Sequence, residues 1–425
     1  MMEERIPTGA VPTHSPGMQV TGGVYSYTWD VEEVFATVQR IREDSRHVPS
    51  ADIRIRGKPE GHIHMTRINL LSTQARSQVA RHCAGRCTRN RDWDAIVEQF
   101  CVLTLDHWRQ GESVINLGTV VPSPEPAYRL KPFLLEREAT LIYGDGGIGK
   151  SYLAAYLAAQ IDQGITVGAS EPVQGRVLYL DYETNHEIAA RRFQGLTRGF
   201  GFSTSSNVLY RFCYQPLAVD IAEIQRICAE ESIECIVVDS AGPACGGDPE
   251  SAASAINYFT SLRSLRITSL TIAHRSKTGS IGPFGSVYWV NYPRSTYELK
   301  APPERTTNSD IMRIAVIHKK SNEGRLQEPM AFRFQFYPSA VTVAEESLAD
   351  LPEFIGELPM AEQLEAQLQE HGSLTLRDLV DATGLPLGSI KTTLSSQSRF
   401  AKAGNTKWTL NNHAGQGVPT SHKTI

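Results

Sequence analysis

From Ala139 onward, short apolar runs alternate with stretches of mixed polarity. ATLIYG (139–144), RVLYLDYE (176–183), NVLYRF (207–212), IECIVVDS (233–240) and SLTIAH (269–274) are nearly continuous in hydrophobic residues. That is how strands covered on both faces read. The intervening segments predict helices: the stretch after Lys150, about His186 to Arg198, IAEIQRICAEES, and a segment near Ser251–Leu265. Strands that alternate with helices predict an α/β fold, a parallel sheet with helices on both faces. STYELK, MRIAVIHKK and MAFRFQFYP then read as further strands that extend it.

The flanks follow other rhythms. Residues 1–22, rich in Pro, Gly, Thr and Ser, predict a disordered leader. Residues 23–118 read as a small α-rich or α+β unit with helices from Val31 to about Ser45, Thr73 to Arg86 and Asp92 to Trp108, beside the alternating HIHMTRINLL. Four prolines in VVPSPEPAYRLKP mark a linker at 119–132, which leaves residues 133–345 for the α/β core. After a second linker at 346–357, MAEQLEAQLQEHG, LTLRDLVDATG and PLGSIKTTLSSQ predict three short helices, and RFAKAGNTKWTL predicts a hairpin. Three helices and a hairpin are the order of a winged helix-turn-helix, here at 358–412, with a disordered tail at 413–425.

Composition narrows the picture only a little. With 425 residues the chain is too long for one core, and 41% hydrophobic with 21% charged residues is ordinary for a globular protein. A net charge of -4 gives no general pull toward nucleic acid, so any basic surface must be local. Seven cysteines at irregular spacing suit free thiols in a reducing compartment. His82, Cys83 and Cys87 have no second pair at ligand spacing, which argues against zinc. The start lacks the apolar core of a signal peptide and no run is long enough for a membrane span, so a cytoplasmic protein with no membrane partner is expected.

The chemistry is concentrated in GDGGIGKS. Gly144, Asp145, Gly146, Gly147, Ile148, Gly149, Lys150 and Ser151 match the G-x-x-x-x-G-K-[ST] phosphate loop, between the strand TLIY and a helix that opens with Tyr152. Glycines allow a tight loop whose amides converge on phosphate, and the helix N-terminus adds partial positive charge. The expected cofactors are ATP and Mg2+, with Lys150 on the terminal phosphates and Ser151 on the metal. Asp239, closing an apolar strand, is the matching acid for the metal's water shell. Hydrolysis needs a carboxylate to orient water. Glu183, last in its strand, is the expected base; Asp181, two residues earlier and on the same side, is the alternative, and both acids could instead pair with Arg191 or Arg192.

The order of these features, with a His at Ala273-His274 closing the next strand, resembles the RecA-like ATPase core in the branch of RepA-type plasmid helicases and DnaB-like replicative helicases. The resemblance spans about residues 120–340. It implies that His274 is a sensor between the γ-phosphate and the DNA loops. RSKTGSIGPFGSVYWVNYPRSTYELK is similar to the family's channel-facing loop; on that likeness Arg275 and Lys277 contact DNA, and Gly279, Gly282 and Gly285 give freedom to move. Arg294 matches the family's N-x-x-R-S arginine, which serves a neighbouring subunit, and Lys319 or Lys320 stands where late-strand fingers occur. A homo-oligomer, a hexamer in this family, and single- or double-stranded DNA are the implied partners. The added N-terminal and C-terminal units depart from the family. In the latter, Ser389, Lys391, Thr392 and Thr393 with Arg399, Lys402 and Lys407 are the expected DNA contacts. Two functions are open: a ring-forming DNA motor of a phage or mobile element, or a nucleotide-switched DNA-binding regulator or defence component. A small-molecule kinase fits poorly, since no lid or substrate pocket is legible.

Overall fold

Val34, Ala36 and Val38 are buried while Phe35, Thr37 and Gln39 between them are not. That period of two makes residues 34–43 a strand, not the expected helix. The computed structural model describes residues 14–21, 23–44, 46–110, 114–201, 206–276, 282–302, 310–348 and 351–411. They form two compact units: the first runs to Glu125 and includes Leu217–Glu234, and the second holds Pro126–Pro216 and everything from Cys235.

The first unit is β-rich, which corrects the α-rich expectation. β1 (Gly17–Thr21), β2 (Val24–Trp29), β3 (Val34–Glu43), β4 (Pro49–Gly57) and β5 (Gly61–Asn69) form an antiparallel meander in chain order. α1 (Thr73–Arg86) and α2 (Trp93–Gln110) cover one face of it. Ser72 caps α1 by accepting the Ala75 N–H. Tyr27, Trp29, Val38 and Ile53 meet Val79, Cys83, Ile96 and Phe100 in the core. Two buried polar tips are satisfied across it: Tyr27 bonds Thr104 at 2.7 Å, and Trp29 Nε1 donates to Gln99 at 2.7 Å.

The second unit begins inside the expected linker. β6 (Tyr128–Lys131) pairs with β7 (Leu134–Leu135) and with β9 (Glu171–Pro172), so the last part of 119–132 is structured. The main sheet then matches the sequence closely: β8 (Ala139–Gly144), α3 (Lys150–Gln163), β10 (Arg176–Asp181), α4 (His186–Gly199) and β11 (Leu209–Phe212). α5 (Leu217–Glu230) comes next in the chain, then β12 (Ile233–Asp239), α6 (Ala241–Ala244), α7 (Ala252–Ser264), β13 (Thr268–His274), α8 (Tyr288–Asn291) and β14 (Ser295–Lys300). β15 (Ile311–Ser321), β16 (Met330–Phe336) and β17 (Val341–Glu346) complete a nine-stranded sheet, ordered β11-β10-β12-β13-β8-β14-β15-β16-β17. The expected mixed α/β architecture is present: β8 lies parallel between β13 and β14, and β14 to β17 run antiparallel to one another. α3 is buried along most of its length, from Leu153 to Ile161.

Register decides what meets what. His274 lies opposite Gly144 and Asp239 opposite Ile272, so β8 and β13 end level and β12 ends two residues short of them, all at the same end of the sheet. Open α/β sheets bind ligands at such an end. At the chain's far end α9 (Met360–His371), β18 (Leu374–Thr375), α10 (Leu376–Thr383), α11 (Leu387–Ser396), β19 (Phe400–Ala403) and β20 (Lys407–Leu410) enclose Leu364, Leu379, Ile390, Leu394 and Trp408. Thr375 and Asp378 form a reciprocal capping box at the start of α10.

Candidate nucleotide site

Between β8 and α3 the glycines do different work. Gly149 has φ +105°, and a Cβ there would lie 2.7 Å from both the Met312 sulfur and Ile314. Gly144 would collide with the Leu299 carbonyl at 2.7 Å, and Gly147 has φ +72°. A Cβ at Gly144 or Gly149 would strike the residues packed against the loop, and the positive φ of Gly147 and Gly149 favours glycine, so the chain turns tightly here. Lys150 lies inside the loop, its ammonium donating to the Gly144 carbonyl at 3.0 Å and the Asp145 carbonyl at 2.7 Å. Burial lowers its pKa, opposed by Glu183, Asp239 and Asp145. A cation that is withdrawn from water among carbonyls is set for an anion to share it.

Asp239, 3% exposed at the end of β12, accepts the Tyr179 hydroxyl at 2.6 Å and is hydrogen-bonded to Ser151. The two expected metal-binding residues therefore touch. No three His, Cys, Asp or Glu side chains gather as a metal site among the described residues. Mg2+ does not need one, since it is commonly held by one or two protein oxygens together with substrate phosphates and water.

Burial raises the Asp239 pKa, against hydrogen bonds from Tyr179 and Ser151 that pull it down. A folded pKa above the unfolded one means that folding takes up a proton. This group's stabilisation is complete below the unfolded value and is lost as the pH rises through the folded value. Asp239→Asn is neutral throughout. It should melt at a higher temperature than the parent at about pH 8, with the gap narrowing toward about pH 4. A lower melting temperature at the higher pH would contradict this role for burial.

The two acids of β10 separate cleanly. Asp181 is 1% exposed and accepts the N–H groups of Glu183 and Thr184, each at 2.9 Å, the Thr184 hydroxyl, and the Tyr210 hydroxyl at 3.2 Å. It holds the turn. Glu183 lies beyond the strand, so the expected same-side placement of the two does not apply; it accepts from the Ser240 hydroxyl, and His274 Nε2 is 3.9 Å away. Neither acid is ion-paired with Arg191 or Arg192 among the described residues.

Gly147, Gly149, Lys150, Ser151, Tyr152, Glu183, Arg192, Asp239, Ser240, Ile272 and His274 line one cavity of about 280 Å³. A larger groove, about 890 Å³, is lined by Glu323, Glu328, Glu345, Glu346 and Glu362, carboxylates that repel a polyphosphate. Sequence reasoning did not assign to the site Ile272 or two polar residues of the smaller cavity, Ser240 and Arg192. Ser240 comes directly after the metal-site acid and holds Glu183. Arg192 lies 4.9 Å over the Tyr152 ring, and its Nε has no hydrogen-bond partner. The available signal was an arginine beside the buried stripe Ala189, Phe193 and Leu196.

Other expected residues lie elsewhere. Arg294, at the start of β14, is 3.5 Å from Glu138 and donates its N–H to the Ala139 carbonyl. Leu299, not Arg294, is the β14 residue opposite Gly144. Five residues of strand, about 16 Å, thus separate Arg294 from its own phosphate loop. Lys320 donates to the carbonyls of Val290, Asn291 and Pro293 at 2.9, 2.8 and 2.6 Å and is committed to closing α8. Lys319 and Arg275 flank buried Glu298 at 3.5 and 3.3 Å. Lys277 and Gly279 lie outside the described residues. In the C-terminal part, Arg399 is paired with Glu365 at 2.7 Å and Lys402 lies over Trp408, while Lys391 and Lys407 are exposed.

A glycine-rich loop around a buried lysine, a serine hydrogen-bonded to a strand-end aspartate and a partly exposed glutamate, all at the carboxyl end of parallel strands, make up a P-loop ATPase domain. Residues 111–280 match the family described as AAA domain. The match ends before Arg294 and β15–β17. Among solved structures, the KaiC-like protein from the hyperthermophilic archaeon Pyrococcus horikoshii OT3 is similar over 52% of this chain and 97% of that one, at 14% identity and a TM-score of 0.36. No curated protein matches the chain. Among the described residues no helix is long and apolar enough to cross a membrane.

Proposed function

We propose that the chain is a ring-forming, ATP-driven motor acting on DNA, with Glu183 as the base of hydrolysis. The observation that carries this reading is the position of His274. Its Nε2 lies 3.9 Å from Glu183, and the segment running through Arg275 begins directly after it, so one residue stands between the proposed water-activating acid and the loop expected on DNA. Bound ATP–Mg2+ would supply the transferable phosphoryl group. Lys150 and the loop amides would hold its anionic oxygens, Ser151 and Asp239 would hold the metal, and Glu183, oriented by Ser240, would take the proton of the attacking water. The C-terminal helices and hairpin fit a winged helix-turn-helix, in which Lys391 and Lys407 are the cations left to face phosphate. ATP hydrolysis that rises with added single strands, and displacement of a strand from a forked duplex, test this reading. DNA binding that responds to nucleotide without displacement would favour the switched regulator instead.

The distance of Arg294 from its own site makes a second test. As a finger for a neighbour, Arg294→Ala should lower ATPase activity by about 1,000-fold in pure form. When mixed with parent chains it should depress activity more than in proportion to its share, because each altered chain disables an intact neighbour. Strictly proportional loss would assign Arg294 a structural role with Glu138.

A further inference from the structure

α1 and α2 cover one face of the first unit's sheet, and α5, also in that unit, meets the sheet near the end of β3, where Arg42 donates to the Val219 carbonyl at 2.7 Å. Alternation places Ser26 and Thr28 of β2, Phe35, Thr37 and Gln39 of β3, and Ser50, Asp52, Arg54 and Arg56 of β4 on the face opposite α1 and α2. Register brings the rest together: Phe35 lies opposite Thr28 and Arg56, Arg54 lies opposite Met65, and Asp52 lies opposite Arg67. Phe35, on the central strand, is 41% exposed, and Met65 is 52% exposed.

The charges on this face do not cancel. Asp52 is shared by Arg40 at 3.7 Å and Arg67 at 2.9 Å. Arg54 and Arg56 are in no ion pair among the described residues; Arg54 donates instead to the Met65 sulfur at 3.8 Å. Two arginines two residues apart on one strand stand about 6.6 Å from each other on the same side. An aromatic ring lies between them and the polar strip of β2. The chain as a whole carries -4, so this patch is a local excess of positive charge on a neutral-to-acidic molecule.

We propose that this face, centred on Phe35, Arg54 and Arg56, binds single-stranded nucleic acid. Unpaired guanidiniums meet backbone phosphates, and an exposed ring on a sheet offers an unpaired base a surface to stack on, a combination suited to strands whose bases are not already paired. A protein partner is the poorer fit: Phe35 and Met65 are each set among arginines, threonines and serines and make no continuous apolar patch. None of these residues lines the nucleotide cavity, and the surface supplies a role for the first unit. It shares the premise of a nucleic-acid ligand with the motor reading.

The test uses the full-length protein without nucleotide, fluorescently labelled oligo-dT and oligo-rU of about 20 nucleotides, and anisotropy over a salt series. Arg54→Ser/Arg56→Ser should weaken binding at least tenfold and flatten the slope of log affinity against log salt by about 1.4, two phosphate contacts on a single strand. Phe35→Ala should weaken binding about tenfold, and Phe35→Tyr should retain it. Basal ATPase activity and melting temperature should match the parent in all three. Affinity and slope equal to the parent in both loss variants would overturn the sheet-face site while leaving the motor reading intact. A parent protein that binds neither oligonucleotide at low salt would overturn both. The ratio of dT to rU affinity identifies which polymer the face prefers.

Discussion

Glu183→Gln should bind ATP and Mg2+ as the parent does and hydrolyse it at least about 100-fold more slowly. The carboxylate accepts from Ser240 and lies 3.9 Å from His274, and the amide would keep that contact while losing its basicity. The comparison that gives this meaning is Asp181→Asn. Asp181 accepts the amides of Glu183 and Thr184 and the hydroxyls of Thr184 and Tyr210, so replacing one of its oxygens by a donor breaks the turn itself. That variant should lose about 1–3 kcal/mol of stability, along with activity. Equilibrium ATP binding, single-turnover hydrolysis and thermal melting on both variants decide the matter. Normal turnover in Glu183→Gln, with slow hydrolysis and intact stability in Asp181→Asn, would falsify the assignment of the base.

Lys150→Ala should weaken ATP binding by at least about 30-fold, the lower end of the 2–5 kcal/mol that truncating one member of a buried charged pair costs. The ammonium is held by two loop carbonyls, at 3.0 and 2.7 Å, and withdrawn from water. Folding should survive, because burial already disfavours this cation and the Gly144 carbonyl keeps the Arg275 amide as a donor. Calorimetric titration with ATP gives the answer directly. Parent-like affinity would rule out the phosphate loop as the nucleotide site.

The α/β core was legible because its strands are buried on both faces. Residues 141–143 and 235–238 are apolar throughout and lie inside the observed strands Ala139–Gly144 and Ile233–Asp239. The first unit misled for the opposite reason. Val34, Val38 and Ile41 satisfy the helical spacing i, i+4, i+7, and only the burial of Ala36 between them reveals the strand. Periodicity cannot separate these readings when small residues occupy the deciding positions. At the site, the phosphate-loop residues and Asp239 were readable because each is fixed to a strand end. The choice of Glu183 over Asp181 was not settled by alternation, because the strand stops at Asp181 and the chain turns immediately after it. Lys319 and Lys320 are adjacent in sequence, and only three carbonyls converging from around α8 distinguish them.

The Gly144 carbonyl has two donors, the Lys150 ammonium at 3.0 Å and the Arg275 amide at 3.0 Å. A tug on the segment after Arg275 therefore loads the very oxygen from which the lysine hangs. The backbone that leaves β13 and the buried ammonium are thus joined through one peptide unit, with the Asp145 carbonyl at 2.7 Å as the lysine's second anchor.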